Sequence, residues 1–176
     1  MQSSYLKIFA HVARNTRENI MIITNDYVLF YGGPFSNWAE SPFELDGITF
    51  NCSEQYFMYR KALQFGDTTT ANKILKEKSP AIQKELGKKV SGYVESEWNN
   101  IRYDVMLTAL RAKFQLPAFK AALLKTEHKT IVEASPYDKI WGIGLTANDP
   151  RALNPSEWLG SNLLGKCLMQ VRDEIV

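Results

Sequence analysis

The order of strand-like and helix-like segments is the feature that most constrains the fold of this chain. Residues 19–33 (NIMIITNDYVLFYGG) are rich in β-branched and aromatic residues and predict two strands around a turn. Residues 41–51 (SPFELDGITFN) predict a hairpin whose turn is Asp46-Gly47. Helical patterns follow, and one strand-like segment, TIVEA at 130–134, comes after them. Because strands and helices are grouped and do not alternate, the sequence predicts an α+β fold: a single helix-rich domain with a small, mostly antiparallel sheet.

Residue types at the expected helix ends predict where the helices begin and stop. Ser53 is the expected N-cap of a helix from Glu54 to about Gln64, and Gly66 is the expected stop. Ser79 followed by Pro80 is a second start signal, since proline is favoured at the first helical position. Three more helices are predicted over 96–114, after Pro117, and over NLLGKCLMQVRDEI at 162–175.

Length and charge limit the classes of function that the chain can have. Its 176 residues correspond to about one domain, and its hydrophobic fraction of 45% is ordinary for a folded protein. With 21 basic and 19 acidic residues, the formal net charge of +2 is too balanced to predict an electrostatic grip on nucleic acid or on an anionic membrane. A nucleotide-sized anionic ligand stays compatible with this charge, because a pocket needs only a few local donors.

Cysteine and histidine usage argues against disulfides, metal sites and cofactors. Cys52 and Cys167 form no CxxC pattern, and we expect free thiols, no signal peptide and a cytoplasmic location. No apolar run approaches the roughly 20 residues that span a bilayer. Neither His11 nor His128 has ligand-like neighbours, so no metal is predicted. A GxGxxA match at 142–147 neither follows a strand directly nor opens a helix, so no cofactor is predicted.

The first candidate site lies on the helix predicted after Ser53. Glu54 and Lys61 fall on one stripe with the apolar Met58, since seven residues are nearly two helical turns. A lysine held in an apolar wall has a lowered pKa and can act as a nucleophile or proton carrier. In the plainer alternative, Glu54 only favours the first helical turn and Lys61 is a surface residue.

The second candidate site is the segment EASPYDKIWGIG at 133–144, which follows the late strand. Asp138 lies in a loop, where reactive groups are commonly displayed. Trp141 offers a flat surface for a base or ribose, and Gly142 lets the backbone approach a ligand closely. The alternative is that Asp138 caps a turn after Pro136 and that Trp141 belongs to the core.

Two further segments carry candidate binding residues. Ser36 and Asn37, in the loop GGPFSNWAES at 32–41, could recognise ribose hydroxyls or phosphate, or could stabilise turns. Trp98, near the start of the long helix, is a candidate stacking surface and equally a candidate core residue.

Taken in order, these segments resemble the NADAR superfamily, the YbiA-like proteins. The resemblance lies in the blocks FSNW, SPFELDGITFNCSEQYFMYRKA, SPAIQKELGKKV, WNNIRYDVMLTALRAKF, IVEASPYDKIWGIGL and WLGSNLLGKCLMQVR. It covers the chain from about Phe30 to the C-terminus, so the expected NADAR domain is 30–176. Residues 1–29 have no clear counterpart, and they form an N-terminal extension or the first strands.

The resemblance implies a mixed, helix-rich fold and an enzyme, an N-glycosyl hydrolase that cleaves the bond between ribose C1 and a base nitrogen. Its implied substrates are ADP-ribosylated guanine, as a nucleoside or in DNA, and phosphoribosylated riboflavin-pathway intermediates. The expected partner is therefore a small ribosyl-phosphate or ADP-ribosyl molecule, with ADP-ribosylated nucleic acid as a second possibility and no membrane.

The resemblance also implies roles for individual residues. Catalysis is assigned to Glu54, Lys61 and Asp138, with Lys61 forming a Schiff base that the carboxylates assist. The expected substrate-binding residues are Ser36, Asn37, Trp98, Trp141 and Gly142. The resemblance implies the two tryptophans, and the other three are predicted from the loops that carry them. The alternative function is a non-catalytic ADP-ribose or nucleotide-binding module that uses the same aromatic clamp without cleavage.

Overall fold

The computed structural model describes residues 19–175, and its elements confirm the α+β prediction. Within that range the strands are β1 Ile20–Ile23, β2 Tyr27–Tyr31, β3 Phe43–Leu45, β4 Ile48–Phe50 and β5 Thr130–Glu133. The helices are α1 Ser53–Gln64, α2 Thr68–Lys76, α3 Pro80–Lys88, α4 Glu95–Lys113, α5 Pro117–Leu124 and α6 Leu163–Ile175. Two 3₁₀ helices, Pro150–Leu153 and Pro155–Glu157, precede α6. None of these helices is both long and apolar enough to cross a membrane.

The first of two compact units takes in the described residues up to Ser36 together with Thr126–Lys166. Its sheet has the order β1-β2-β5, with β1 antiparallel to β2 and β2 parallel to β5. Its core contains Leu29, Val132, Ala134, Ile143, Leu145, Ala147 and Ala152. β1 and the first residues of β2 belong to the segment 1–29, of which residues 1–18, with His11, lie outside the described residues.

Asn162 ties β5 to the start of α6 inside this unit. Its side-chain Oδ1 accepts the backbone N–H of Glu133 at 3.0 Å, and its Nδ2 donates to the carbonyl oxygen of Ile131 at 2.9 Å. Gly165, on the first turn of α6, lies directly over this clamp. A Cβ at position 165 would overlap the Ile131 carbonyl oxygen and the Asn162 amide, so only glycine fits there.

We therefore expect Gly165→Ala to lower the free energy of unfolding by about 1–3 kcal/mol, the usual cost of overpacking a core. Gly87→Ala on α3 is the matched control, because the three atoms nearest to a Cβ there belong to the flexible side chain of Met58. Urea unfolding of both variants measures the difference. Equal stability of the two alanine variants would contradict the tight packing of Gly165 against Asn162 and the Ile131 carbonyl oxygen.

The second unit takes in Asn37–Lys125 and the residues from Cys167 onward. Its hairpin β3-β4 turns at Asp46 and Gly47, which both have positive φ (53° and 74°), as a two-residue type I′ turn requires. The ring of Phe50 packs edge-on against that of Tyr56 on α1, with centroids 5.1 Å apart. Helix α1 also contacts α2, α3 and α4, so it lies at the centre of this unit.

Two predictions for this unit need correction. Ser53 is the first residue of α1 and Cys52 is the N-cap, so the predicted cap was wrong by one residue. Helix α2 was missed, because its three threonines lower helix propensity and hide the pattern. Gln55 of α1 holds the end of α2 in place, since its Nε2 donates to the carbonyl oxygens of Ile74, Leu75 and Glu77.

Both cysteines are buried, and neither forms a disulfide. Burial raises the pKa of Cys52 to about 11 and that of Cys167 to about 12. Both groups are therefore protonated thiols at neutral pH, and this agrees with the prediction of free thiols.

Candidate active site

Polar side chains gather at the start of α1, in the second unit. Glu54, in the first helical turn, is only 5% exposed, and its backbone N–H donates to the carbonyl oxygen of Asn37 at 3.0 Å. Asn37 and Ser53 are buried beside it. Among the described residues, Asn37 Oδ1 and Ser53 Oγ have no hydrogen-bond partner. Because a buried polar atom without a partner costs about 1–3 kcal/mol, this arrangement favours a ligand that supplies hydrogen bonds.

Lys61 lies on the same helix, near its C-terminal end. Its side chain is partly buried, and that burial lowers the pKa of its amine from the ordinary lysine value. A lower pKa leaves more neutral amine near pH 7, which is the form that attacks an electrophile. Two helical turns separate Lys61 from Glu54, about 10.5 Å along the axis. Lys61 is therefore partly buried, and its catalytic role stays a prediction beside the alternative of a surface lysine.

Trp98 lies on α4 and has little free surface. It is 5% exposed, and its ring packs against that of Phe57 with centroids 4.9 Å apart. This burial favours the core interpretation of Trp98. A role in binding a base stays a prediction for this residue.

The segment around Asp138 is a tightly bonded turn in the first unit. One carboxylate oxygen, Oδ1, accepts the backbone N–H groups of Ile140 at 2.9 Å and Trp141 at 2.7 Å. The described residues donate no hydrogen bond to the other oxygen, Oδ2. Asp138 therefore caps a turn, as the structural alternative predicted, and it keeps one carboxylate oxygen for other contacts.

The glycine of this segment is required by packing. Gly142 is buried, and a Cβ there would lie 2.9 Å from the carbonyl oxygens of Glu133 and Asp138. Trp141 beside it is partly buried. Ser36, at the edge of the same unit, closes a turn with its backbone N–H on the carbonyl oxygen of Gly33 at 3.1 Å. Binding roles for Ser36, Trp141 and Gly142 stay predictions.

The eight predicted site residues thus fall into two groups. Asn37, Glu54, Lys61 and Trp98 belong to the second unit, where Asn37 and Glu54 meet at the start of α1. Ser36, Asp138, Trp141 and Gly142 belong to the first unit, where Asp138 and Trp141 share a hydrogen bond.

Three residues of the second unit lie near the candidate site residues or are unusually buried, and the sequence did not identify them as candidates. Ser53 was interpreted only as a helix cap. Tyr93 carries no sequence signal, yet its ring lies against the Lys61 amine, with Nζ 4.0 Å from the ring centroid. Lys113 is a fully buried lysine whose Nζ lies 5.0 Å from the centroid of the Phe119 ring. Lysines are almost never fully buried, so nothing in the sequence could have found it.

A family model described as the NADAR domain matches residues 29–176. The chain belongs to the NADAR family. This match covers both units from residue 29 onward, including all eight candidate site residues.

Three known proteins are similar in sequence to this NADAR chain. Protein irg-1 of Caenorhabditis elegans is 43% identical over 171 residues, covering 86% of this chain and 81% of the relative. N-glycosidase R617 of Acanthamoeba polyphaga mimivirus is 41% identical, covering 86% of this chain and 97% of R617. N-glycosidase YbiA of Escherichia coli (strain K12) is 32% identical, covering 94% of this chain and 92% of YbiA.

The fold of this NADAR chain also agrees with a solved structure. The NMR structure of E. coli YbiA superposes with a TM-score of 0.70 at 31% sequence identity, covering 87% of this chain and 86% of that one. The predicted NADAR/YbiA-like fold is therefore confirmed.

Proposed function

We infer that the chain is an N-glycosyl hydrolase, since it belongs to the NADAR family and two of its relatives are named N-glycosidases. The structural observation that carries the proposal is the start of α1. Buried polar atoms of Asn37 and Ser53 lie there beside the buried Glu54, on the helix that also carries a lysine with a lowered pKa. A carboxyl group, hydrogen-bonding groups and a reactive amine are the parts that cleavage of a ribosyl bond needs.

The proposed bond is the one between ribose C1 and a base nitrogen. The proposed substrates are ADP-ribosylated guanine, as a nucleoside or in DNA, and phosphoribosylated riboflavin-pathway intermediates. Both carry phosphate, and the net charge of +2 neither repels them nor provides a broad grip on nucleic acid. We propose that the enzyme acts in the cytoplasm on these phosphorylated molecules.

Lys61 is the proposed nucleophile. Its neutral amine attacks C1, the C1–N bond breaks, and the base leaves with the bonding electrons and takes up a proton. The ribose ring then opens as the C1–O4′ bond breaks, and a proton moves from Nζ to O4′. C1 and Nζ are now joined in a protonated Schiff base, which water hydrolyses to the free sugar and the free amine.

Glu54 and Asp138 take the carboxyl roles. Positive charge builds on the sugar as the C1–N bond breaks, and a carboxylate stabilises that charge. The carboxyl groups also transfer protons: one donates a proton to the departing base, and one accepts a proton from the attacking water. This acid–base catalysis is worth roughly 10²- to 10⁴-fold in rate. Asn37 and Ser36 are assigned to the ribose or phosphate oxygens, and Trp98, Trp141 and Gly142 to the walls that hold base and ribose.

We expect the purified chain to release product from at least one of three substrates: ADP-ribosyl-guanosine, an oligonucleotide with ADP-ribosylated guanine, and a phosphoribosylated aminopyrimidine. Chromatography with mass detection measures free ADP-ribose in the first two cases and free ribose 5-phosphate in the third. Protein carrying Lys61→Met is the matched negative control. Tight binding without release would instead support the non-catalytic ADP-ribose or nucleotide-binding module, and neither binding nor release would contradict both functions.

A further inference from the structure

The amine of Lys61 lies on the face of an aromatic ring. Nζ is 4.0 Å from the ring centroid of Tyr93, well inside the 6 Å within which a cation is attracted by an aromatic face. Tyr93 lies in the segment between α3 and α4 and is 42% exposed. We propose that Tyr93 is a positioning residue for the proposed reaction, one that holds the Lys61 amine against its ring face. This inference rests on the proposed function only for the role of Lys61, since the contact itself is independent of any reaction.

The ring of Tyr93 is fixed by its neighbours. Phe65, one turn after Lys61, packs edge-on against Tyr93 with centroids 5.4 Å apart. Asp67 anchors the segment, because its Oδ2 accepts the backbone N–H of Ser91 at 3.0 Å while Oδ1 accepts that of Thr70 at 2.9 Å. These hydrogen bonds hold the pKa of Asp67 well below its usual range, so the anchor is ionised throughout the neutral range. These contacts therefore hold the half-exposed ring of Tyr93 beside the Lys61 amine.

The contact gives the amine a defined position and favours its positive charge. Burial lowers the pKa of Lys61, and a ring face under Nζ acts in the opposite direction. Among the described residues, no charged group of α2, α3 or α4, the helices that contact α1, contributes to the lowered pKa. Within residues 19–175, the titratable side chain whose ring contacts the amine is that of Tyr93.

The same ring face suits the proposed intermediate. After Nζ has bonded to C1, the base has left with its electron pair and O4′ has taken the proton, the positive charge stays on the Schiff-base nitrogen. That nitrogen occupies the position of the amine, so the Tyr93 ring stabilises it as it stabilises the ammonium group. In the alternative, Tyr93 only covers the lysine stem, and any apolar side chain of similar size would serve.

Two variants separate these roles. Tyr93→Phe keeps the ring face, and Tyr93→Leu keeps apolar cover but removes the face. We expect the Leu variant to titrate Lys61 at lower pH than the wild type. Per neutral amine, it should trap roughly 3- to 30-fold less Schiff base with borohydride. The Phe variant should match the wild type in both. Lysine labelled with ¹³C at Cε reports the titration by NMR without substrate, and its Lys61 signal is assigned from Lys61→Met.

The outcomes of these two measurements test the positioning role of Tyr93. A Leu variant that titrates like the wild type would overturn the proposal and leave Tyr93 as simple cover, and so would a Phe variant as impaired as the Leu variant. If the wild type traps no Schiff base while Lys61 in the Leu variant still titrates at lower pH, the positioning contact stands and the proposed imine chemistry fails.

Discussion

Lys61→Met should lower kcat by on the order of 10³-fold or more, because the variant has no amine to attack ribose C1. Methionine keeps the unbranched apolar stem in a partly buried position, so the melting temperature should change little. Lys61→Arg should be as inactive, since its guanidinium stays protonated and cannot act as a nucleophile. Borohydride added during turnover should leave a mass adduct of the sugar on the wild-type peptide that contains Lys61, and none on either variant.

Lys88→Met is the matched control for this experiment. Lys88 is an exposed lysine at the end of α3, paired with Glu85 at 2.6 Å, and its replacement should leave turnover and the Lys61 adduct unchanged. Substantial activity in Lys61→Arg would show that a positive charge, and not a nucleophile, is what the reaction needs. An adduct on a different lysine would show that this other lysine, and not Lys61, forms the Schiff base.

The parts of the fold that sequence predicted are those that local chemistry decides. The hairpin β3-β4 follows from its Asp46-Gly47 turn, and the start of α3 follows from Ser79-Pro80, so neither depends on distant residues. Helix α2 depends on Gln55 of α1, which bonds to its last carbonyl groups. A contact between separate helices leaves no local pattern, and α2 was therefore missed.

The same distinction holds for the candidate site. The stripe that pairs Glu54 with Lys61 is a local property of one helix, so the sequence predicted it, and the burial of Glu54 and the lowered pKa of Lys61 agree with it. Tyr93 reaches Lys61 from another segment, and the burial of Lys113 depends on the fold of the whole unit. The sequence could not decide whether Trp98 is a stacking surface or a core residue, because it shows that the side chain is large but not whether it is exposed.

Asp138→Asn should lower kcat by roughly 10²- to 10⁴-fold while leaving the melting temperature nearly unchanged. The amide oxygen of asparagine can still accept the N–H groups of Ile140 and Trp141, so the turn is kept and only the carboxylate charge is lost. Asp138→Ala removes the oxygen that accepts both N–H groups, and it should also lower the free energy of unfolding by about 1–2 kcal/mol. Product release and thermal melts of the two variants separate the charge of Asp138 from its structural role.

Asp149→Asn is the matched control for this pair, because Asp149 also accepts a backbone N–H two residues on, that of Arg151 at 3.0 Å. It belongs to the same unit as Asp138 and has no proposed part in the reaction. Full turnover in Asp149→Asn with loss of turnover in Asp138→Asn would assign the loss to the chemistry at position 138. Asp138→Asn with full turnover would leave Asp138 a turn cap only, and Glu54 would then have to supply both carboxyl roles.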